Sequence, residues 1–117
     1  MAGLRSKLFA GDARLEACLV DNAKHVTLGD RGTHVSKIQF AVLMLESGVT
    51  IPGSELDGKL YGPRTANAIL VYKTRRQIIN KSYQNAPDNI VGIMTIRALD
   101  DEMVLSEIRD STARIRT

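Results

Sequence analysis

Three segments of the chain repeat apolar residues at the three-to-four-residue spacing of an amphipathic α-helix. The spacing predicts helices at 33–46, 63–80 and 92–104. Their apolar faces are expected to form one shared core made of Val35, Ile38, Val42, Ile69, Tyr72, Ile96 and Leu99. No segment alternates with a period of two for long, as a half-buried strand does. The pattern therefore predicts a mostly α-helical protein built as a small three-helix bundle.

Glycine and proline residues mark the predicted ends of these helices. Gly48 follows the first helix and is a candidate C-cap. Pro63 falls at the first position of the second helix, where the missing backbone N–H costs nothing. Residues 49–61 are predicted to be loop, because a Pro-Gly and an Asp-Gly turn dipeptide follow one another closely.

The length of 117 residues suits a single domain. We divide the chain into an irregular lead-in over 1–27, expected to pack on the domain, the domain itself over 28–104, and a polar tail over 105–117. Within the lead-in, Asp12 is a candidate N-cap for one short helical stretch.

The three predicted helices open with the same local pattern. A glycine precedes each of them, at Gly32, Gly62 and Gly92. A β-branched residue follows that glycine after two intervening residues, at Val35, Thr65 and Thr95. A threonine hydroxyl in a first turn can bond a free backbone N–H or the cap region. We therefore expect three helix N-termini that are built alike and pack on a common centre.

These patterns form three ordered motifs over residues 28–103. The first, G-x-x-G-x-x-V-x-x-[LI]-Q, lies at Gly29, Gly32, Val35, Ile38 and Gln39. The second, D-G-x-[FY]-G-x-x-T-x-x-A-[IV], lies at Asp57, Gly58, Tyr61, Gly62, Thr65, Ala68 and Ile69. The third, G-x-x-T-x-x-[AL]-L, lies at Gly92, Thr95, Ala98 and Leu99. Together they resemble the three-helix type of the peptidoglycan-binding domain family.

The chain departs from the family pattern in two places. Three residues, rather than two, separate Asp57-Gly58 from Gly62, so the loop is one residue longer. The second helix carries Tyr72-Lys73 where the family has an aromatic residue followed by glutamine.

The resemblance implies non-catalytic binding of bacterial cell-wall peptidoglycan, with no cofactor and no metal. It places the ligand near the loop before the second helix, at Asp57, Gly58, Tyr61, Gly62, Arg64 and Thr65. The chemistry of these residues fits a sugar–peptide polymer. Glycines allow close backbone approach, a free helix N-terminus attracts a carboxylate, and Arg64 is a bidentate donor.

Each of these residues also has a purely structural interpretation. Asp57-Gly58 is a standard turn pair, and Tyr61 can be a core residue in a chain with few aromatics. Arg64 can be a solvated first-turn residue. Gln39 is interpreted as a structural amide that bonds loop backbone rather than ligand.

No catalytic arrangement is evident. His25 and His34 form no zinc-ligand motif and are interpreted as a loop residue and a surface residue at a helix start. Glu55 and Asp57 lie in a loop with no apolar pocket around them. Cys18 is the one cysteine, which excludes an internal disulfide framework, and it is interpreted as a small buried hydrophobe. The chain is therefore not expected to be an enzyme.

The charge and the fold leave two alternative functions open. The formal charge of +3 is mildly basic, and a cluster on the second helix could contact nucleic-acid phosphates: Lys73, Arg75, Arg76 and Lys81. We regard nucleic-acid binding as the weaker alternative, and a protein-docking adaptor on the same fold as the stronger.

No signal peptide or membrane span is seen, so a cytoplasmic location is the default expectation. A periplasmic or secreted location by a leaderless route is expected if the ligand is cell wall.

Overall fold

The computed structural model describes residues 3–79 and 86–116, with side chains described as far as residue 111. Within those residues the protein is mostly helical and contains no strand. Its helices are α1 (Ala13–Val20), α2 (Thr33–Leu45), α3 (Gly53–Asp57), α4 (Pro63–Arg76) and α5 (Ile93–Arg116). The prediction of a mostly α-helical small bundle is confirmed.

The predicted helix starts agree with the structure better than the predicted ends do. Helix α4 ends at Arg76 because Gln77 adopts a left-handed conformation, with φ 54°. Helix α5 passes the predicted end at 104 and continues to Arg116. Helix α3 falls in the segment predicted to be loop. Its 5 residues are too few to show a hydrophobic period.

The core contains every residue that the hydrophobic pattern predicted for it. The side chains with no exposed surface include Val35, Ile38, Val42, Ile69, Tyr72, Ile96 and Leu99. The segment before α2 adds further buried residues to the same cluster, namely Leu4, Phe9, Leu15, Cys18, Leu19 and Val26. The lead-in therefore contributes to the central core as well as covering it.

Backbone amides of the first residues bind carboxylates on α5. The N–H groups of Arg5 and Ser6 donate to Asp100, each at 2.9 Å. The N–H groups of Lys7 and Leu8 donate to the two carboxylate oxygens of Glu107, at 2.9 and 3.2 Å. Hydrogen bonds to a charged acceptor are stronger than neutral ones, so these contacts fix the lead-in along α5.

The loops that precede α2, α4 and α5 lie side by side. Val26 and Val91 exchange both backbone hydrogen bonds, each at 2.9 Å. The N–H of Tyr61 donates to Asp30 at 2.9 Å, and the N–H of Gly29 donates to Tyr61 at 3.0 Å. The loop before α2 therefore sits between the other two, and the three helix N-termini start from one end of the bundle.

None of the described helices combines the length and the apolar character needed to cross a membrane.

Candidate functional site

The N-terminus of α4 is capped by the side chain of Glu55, which reaches across from α3. The backbone N–H of Thr65 donates to Oε1 at 2.8 Å, and the N–H of Arg64 donates to Oε2 at 3.1 Å. The Thr65 hydroxyl also donates to Oε1, at 2.8 Å. Glu55 is buried, so a carboxylate of the protein itself occupies the helix N-terminus.

The pKa of Glu55 reflects the strength of this cap. Burial acts to raise the pKa, but the backbone and hydroxyl hydrogen bonds from Thr65 and the backbone N–H groups of Arg64 and Gly62 outweigh burial. The pKa consequently lies below its usual range. The expectation of a free helix N-terminus that attracts a ligand carboxylate is wrong, because its donors are already bound.

Gln39 joins α2 to the same cap. Its Nε2 donates to the Leu60 carbonyl and to the Thr65 hydroxyl oxygen, each at 3.0 Å. A longer contact of 3.5 Å reaches the carbonyl of Glu55. Gln39 is fully buried, and the interpretation of its side chain as a structural amide that bonds loop backbone is confirmed.

Tyr61 and Thr65 belong to the interior of this unit. Neither has exposed surface. The Tyr61 hydroxyl donates to the carbonyl of Asn89 at 2.5 Å, and burial, with smaller contributions from Asp88 and Asp30, raises the pKa of Tyr61 above its usual range. The structural interpretation of Tyr61 is therefore the correct one in this conformation, and its ring offers no face to a ligand.

Three of the predicted site residues remain exposed around this unit: Asp57, Gly58 and Arg64. The sharp turn that follows α3 falls on Lys59, which has a φ of 51°, rather than on Gly58. Arg31 lies against the same turn, with its Nη1 donating to the Gly58 carbonyl at 3.5 Å. The exposed part of the candidate site is therefore a polar rim made of Arg31, Asp57, Gly58, Lys59 and Arg64.

The three glycines that precede the helices have different physical roles. Gly32 adopts a φ of 134°, which side-chain-bearing residues rarely adopt. A Cβ on Gly62 would lie 2.5 Å from the carboxyl carbon of Glu55. A Cβ on Gly92 would meet no heavy atom within 4 Å. The expectation that the three N-termini are built alike is thus wrong in detail, although all three helices meet in one core.

The basic cluster predicted on α4 is paired with carboxylates. Lys73 is buried and donates to Asp88 at 2.5 Å. Arg76 donates to Glu46 and, through Nε, to Glu102, each at 2.7 Å. Arg75 pairs with Glu46 at 3.1 Å, and Lys81 lies outside the described residues. This pairing removes much of the charge that an approaching phosphate would encounter, and it weighs against the nucleic-acid alternative.

The cysteine and the two histidines considered for catalysis lie in different environments. Burial raises the pKa of the Cys18 thiol to about 11, so it has little thiolate character. Burial, followed by the charge of Arg14, lowers the pKa of His34. His25 is an exposed loop residue, as expected, with Nδ1 2.8 Å from the Asn22 carbonyl. Among the described residues, no group of three His, Cys, Asp or Glu side chains could hold a metal ion.

The role of Glu55 as an organising residue was not predicted from the sequence. One signal could have indicated it: α4 begins with Gly62-Pro63, with no Ser, Thr, Asp or Asn at the N-cap position. A helix start without its own capping side chain needs an acceptor from elsewhere, and Glu55 is the acidic residue of the preceding short helix that supplies it.

No family model, curated protein or solved structure matches the chain. The resemblance to peptidoglycan-binding domains therefore rests on the three sequence motifs.

Proposed function

We propose that the protein is a non-catalytic binding module for bacterial cell-wall peptidoglycan, and that the contact surface is the polar rim. One observation supports the proposal most directly. Gln39 of the first motif donates a hydrogen bond to Thr65 of the second motif, and another to the Leu60 carbonyl. Residues of separate motifs thus act together to hold one loop, as expected if the motifs describe a single structural unit.

This unit gives the polar rim a fixed support. A binding site gains affinity when its contact groups are already held in place before the ligand arrives. Two contacts hold the turn that carries Asp57 and Gly58. Glu55 joins α3 to the first turn of α4, and Arg31 donates to the Gly58 carbonyl. Arg64 extends from the capped first turn of α4 and is exposed.

The exposed chemistry suits the peptide part of the polymer. Guanidinium groups at Arg31 and Arg64 can bind peptide carboxylates with two parallel hydrogen bonds. Asp57 can accept from amide or hydroxyl groups, and Gly58 has no side chain to keep the backbone away from a ligand. The proposed contact set excludes Tyr61, Gly62 and Thr65, which are buried.

Sedimentation with purified sacculi tests the proposal. At about 1 M salt the Debye length falls to ~3 Å, so non-specific attraction of a basic protein to an anionic wall is largely screened. We expect binding to persist, because short hydrogen bonds at the rim are screened less. Arg64→Ala should weaken it about tenfold, which corresponds to ~1.4 kcal/mol.

Arg75→Ala is the matched control, since it removes the same charge from another exposed position of α4. It should leave sacculus binding in high salt nearly unchanged. The proposal fails if salt abolishes binding, or if Arg75→Ala reduces binding as much as Arg64→Ala does.

A further inference from the structure

Three exposed apolar residues lie on the outward face of α5. Met94, Leu105 and Ile108 are each at least half exposed, at 50%, 60% and 57%. Residues 94, 101 and 108 repeat at seven-residue intervals, and residue 105 lies one turn after 101, so all of them share one face. The opposite face holds the buried core residues of α5.

Met44 of α2 adjoins this face, because it lines one groove together with Leu105. Phe40 and Met44 are 52% and 51% exposed. A shallow groove of about 280 Å³ lies between the helices, and its lining includes Met44, Leu105 and Arg109. Single exposed apolar residues are ordinary, whereas a contiguous group is typical of an interaction surface.

Two unpaired charges flank the centre of the α5 face. Asp101 and Arg109 are exposed, and neither forms an ion pair with any residue in the described part of the chain. Each lies four residues from Leu105, one before it and one after it. If two copies of α5 cross antiparallel at Leu105, Asp101 of each copy lies opposite Arg109 of the other.

We propose that two copies of this chain associate through the outward faces of α5, antiparallel and with Leu105 at the two-fold axis. The occupant is a second copy because the charge pattern is self-complementary about one residue, as an isologous interface requires. The interface would cover Leu105 and Ile108 and gain two Asp101–Arg109 pairs, with Met44 at its edge. This association is independent of the proposed wall binding, since no residue of the polar rim belongs to α5.

Sedimentation equilibrium of the full chain over a range of concentrations tests the association. We expect a reversible dimer. Leu105→Asp should weaken it at least tenfold, because the two introduced aspartates, one from each chain, would face one another at the two-fold axis. Val20→Asp is the matched control: Val20 is 68% exposed on α1, and its replacement should leave the dimer unchanged. Circular dichroism melts should show that both variants fold.

Charge exchange distinguishes this pairing from general apolar association. Asp101→Arg alone should weaken the dimer, because each Asp101–Arg109 pair then becomes two arginines that repel one another. Arg109→Asp alone should weaken it similarly, because each pair then becomes two aspartates. The double variant restores opposite charges and should recover most of the wild-type affinity. A chain that stays monomeric to millimolar concentration overturns the proposal, and so does a double variant that dimerises no better than the single ones.

Discussion

At the scale of single residues, Glu55 organises the candidate site. Its carboxylate binds the first turn of α4, its neighbours form the polar rim, and its position explains why a glycine occurs at 62. The sequence could predict Gln39 as a structural amide, because a buried amide needs backbone partners. It could not predict Glu55 as a cap, because the contact joins two helices and has no fixed spacing.

Replacing Glu55 tests the energetic importance of the cap. Glu55→Gln removes the charge and turns an amide N–H₂ group toward backbone donors, so we expect a loss of about 2–3 kcal/mol in the free energy of unfolding at pH 7. Urea denaturation measures it. Asp57→Asn is the control, since Asp57 is exposed in the same segment, and its effect should be within about 0.5 kcal/mol.

The same cap predicts a dependence of stability on pH. The pKa of Glu55 is depressed in the folded protein, so near pH 4 the unfolded chain binds more protons at this position than the folded chain. The stabilisation is complete above the unfolded value of about 4.3 and is lost as the pH falls through the lower folded pKa. The stability difference between wild type and Glu55→Gln should therefore be constant from pH 7 to 5 and shrink below that. A difference that grows in acid would contradict the assignment of the cap.

Gly62 and Gly92 occupy the same place in the repeated pattern, so alanine at each position tests whether contact with Glu55 is what requires a glycine at 62. In Gly62→Ala the new methyl group would displace the Glu55 carboxylate, at a cost of about 2–3 kcal/mol. In Gly92→Ala the methyl group meets open space, so stability should stay the same or rise by about 0.5 kcal/mol. If chemical denaturation gives equal losses in the free energy of unfolding for the two variants, the glycines have a shared backbone role instead.

At the scale of elements, the sequence predicted where helices start and was less accurate about where they end. Pro63 indicated the start of α4 correctly. Its end has no glycine signal, because the left-handed position is filled by Gln77 and the N–H of Ile78 donates to the Lys73 carbonyl at 3.0 Å. The end of α5 was placed too early, since the polar residues after Met103 suggested a tail.

The end of α4 provides a stabilising prediction. Gln77→Gly removes the steric cost of a side chain in the left-handed conformation, and we expect a gain of about 0.5–1 kcal/mol. Asn67→Gly is the control, because Asn67 is exposed in the middle of the same helix and glycine should lower stability there. Urea denaturation of both variants should give shifts of opposite sign. A loss of stability in Gln77→Gly would mean that the Gln77 side chain has a role beyond the turn.

At the scale of the whole molecule, the three-helix core was predictable and the attachment of the lead-in was not. Apolar spacing of 3.6 residues identified the buried faces of α2, α4 and α5. The lead-in is held by backbone N–H groups that bind carboxylates far away in the chain: Arg5 and Asp100 are 95 positions apart. Backbone donors carry no sequence signal, so such contacts appear only once the chain is folded.

The environment of Cys18 has a consequence for the conditions in which the protein can fold. The chain has no second cysteine to pair with, and burial raises the pKa of the thiol to about 11, which suppresses the reactive thiolate. No disulfide can therefore form within this chain in either oxidising or reducing surroundings. We expect the same free energy of unfolding with and without a thiol reductant, so a change of redox compartment should leave the cross-linking of this fold unaltered.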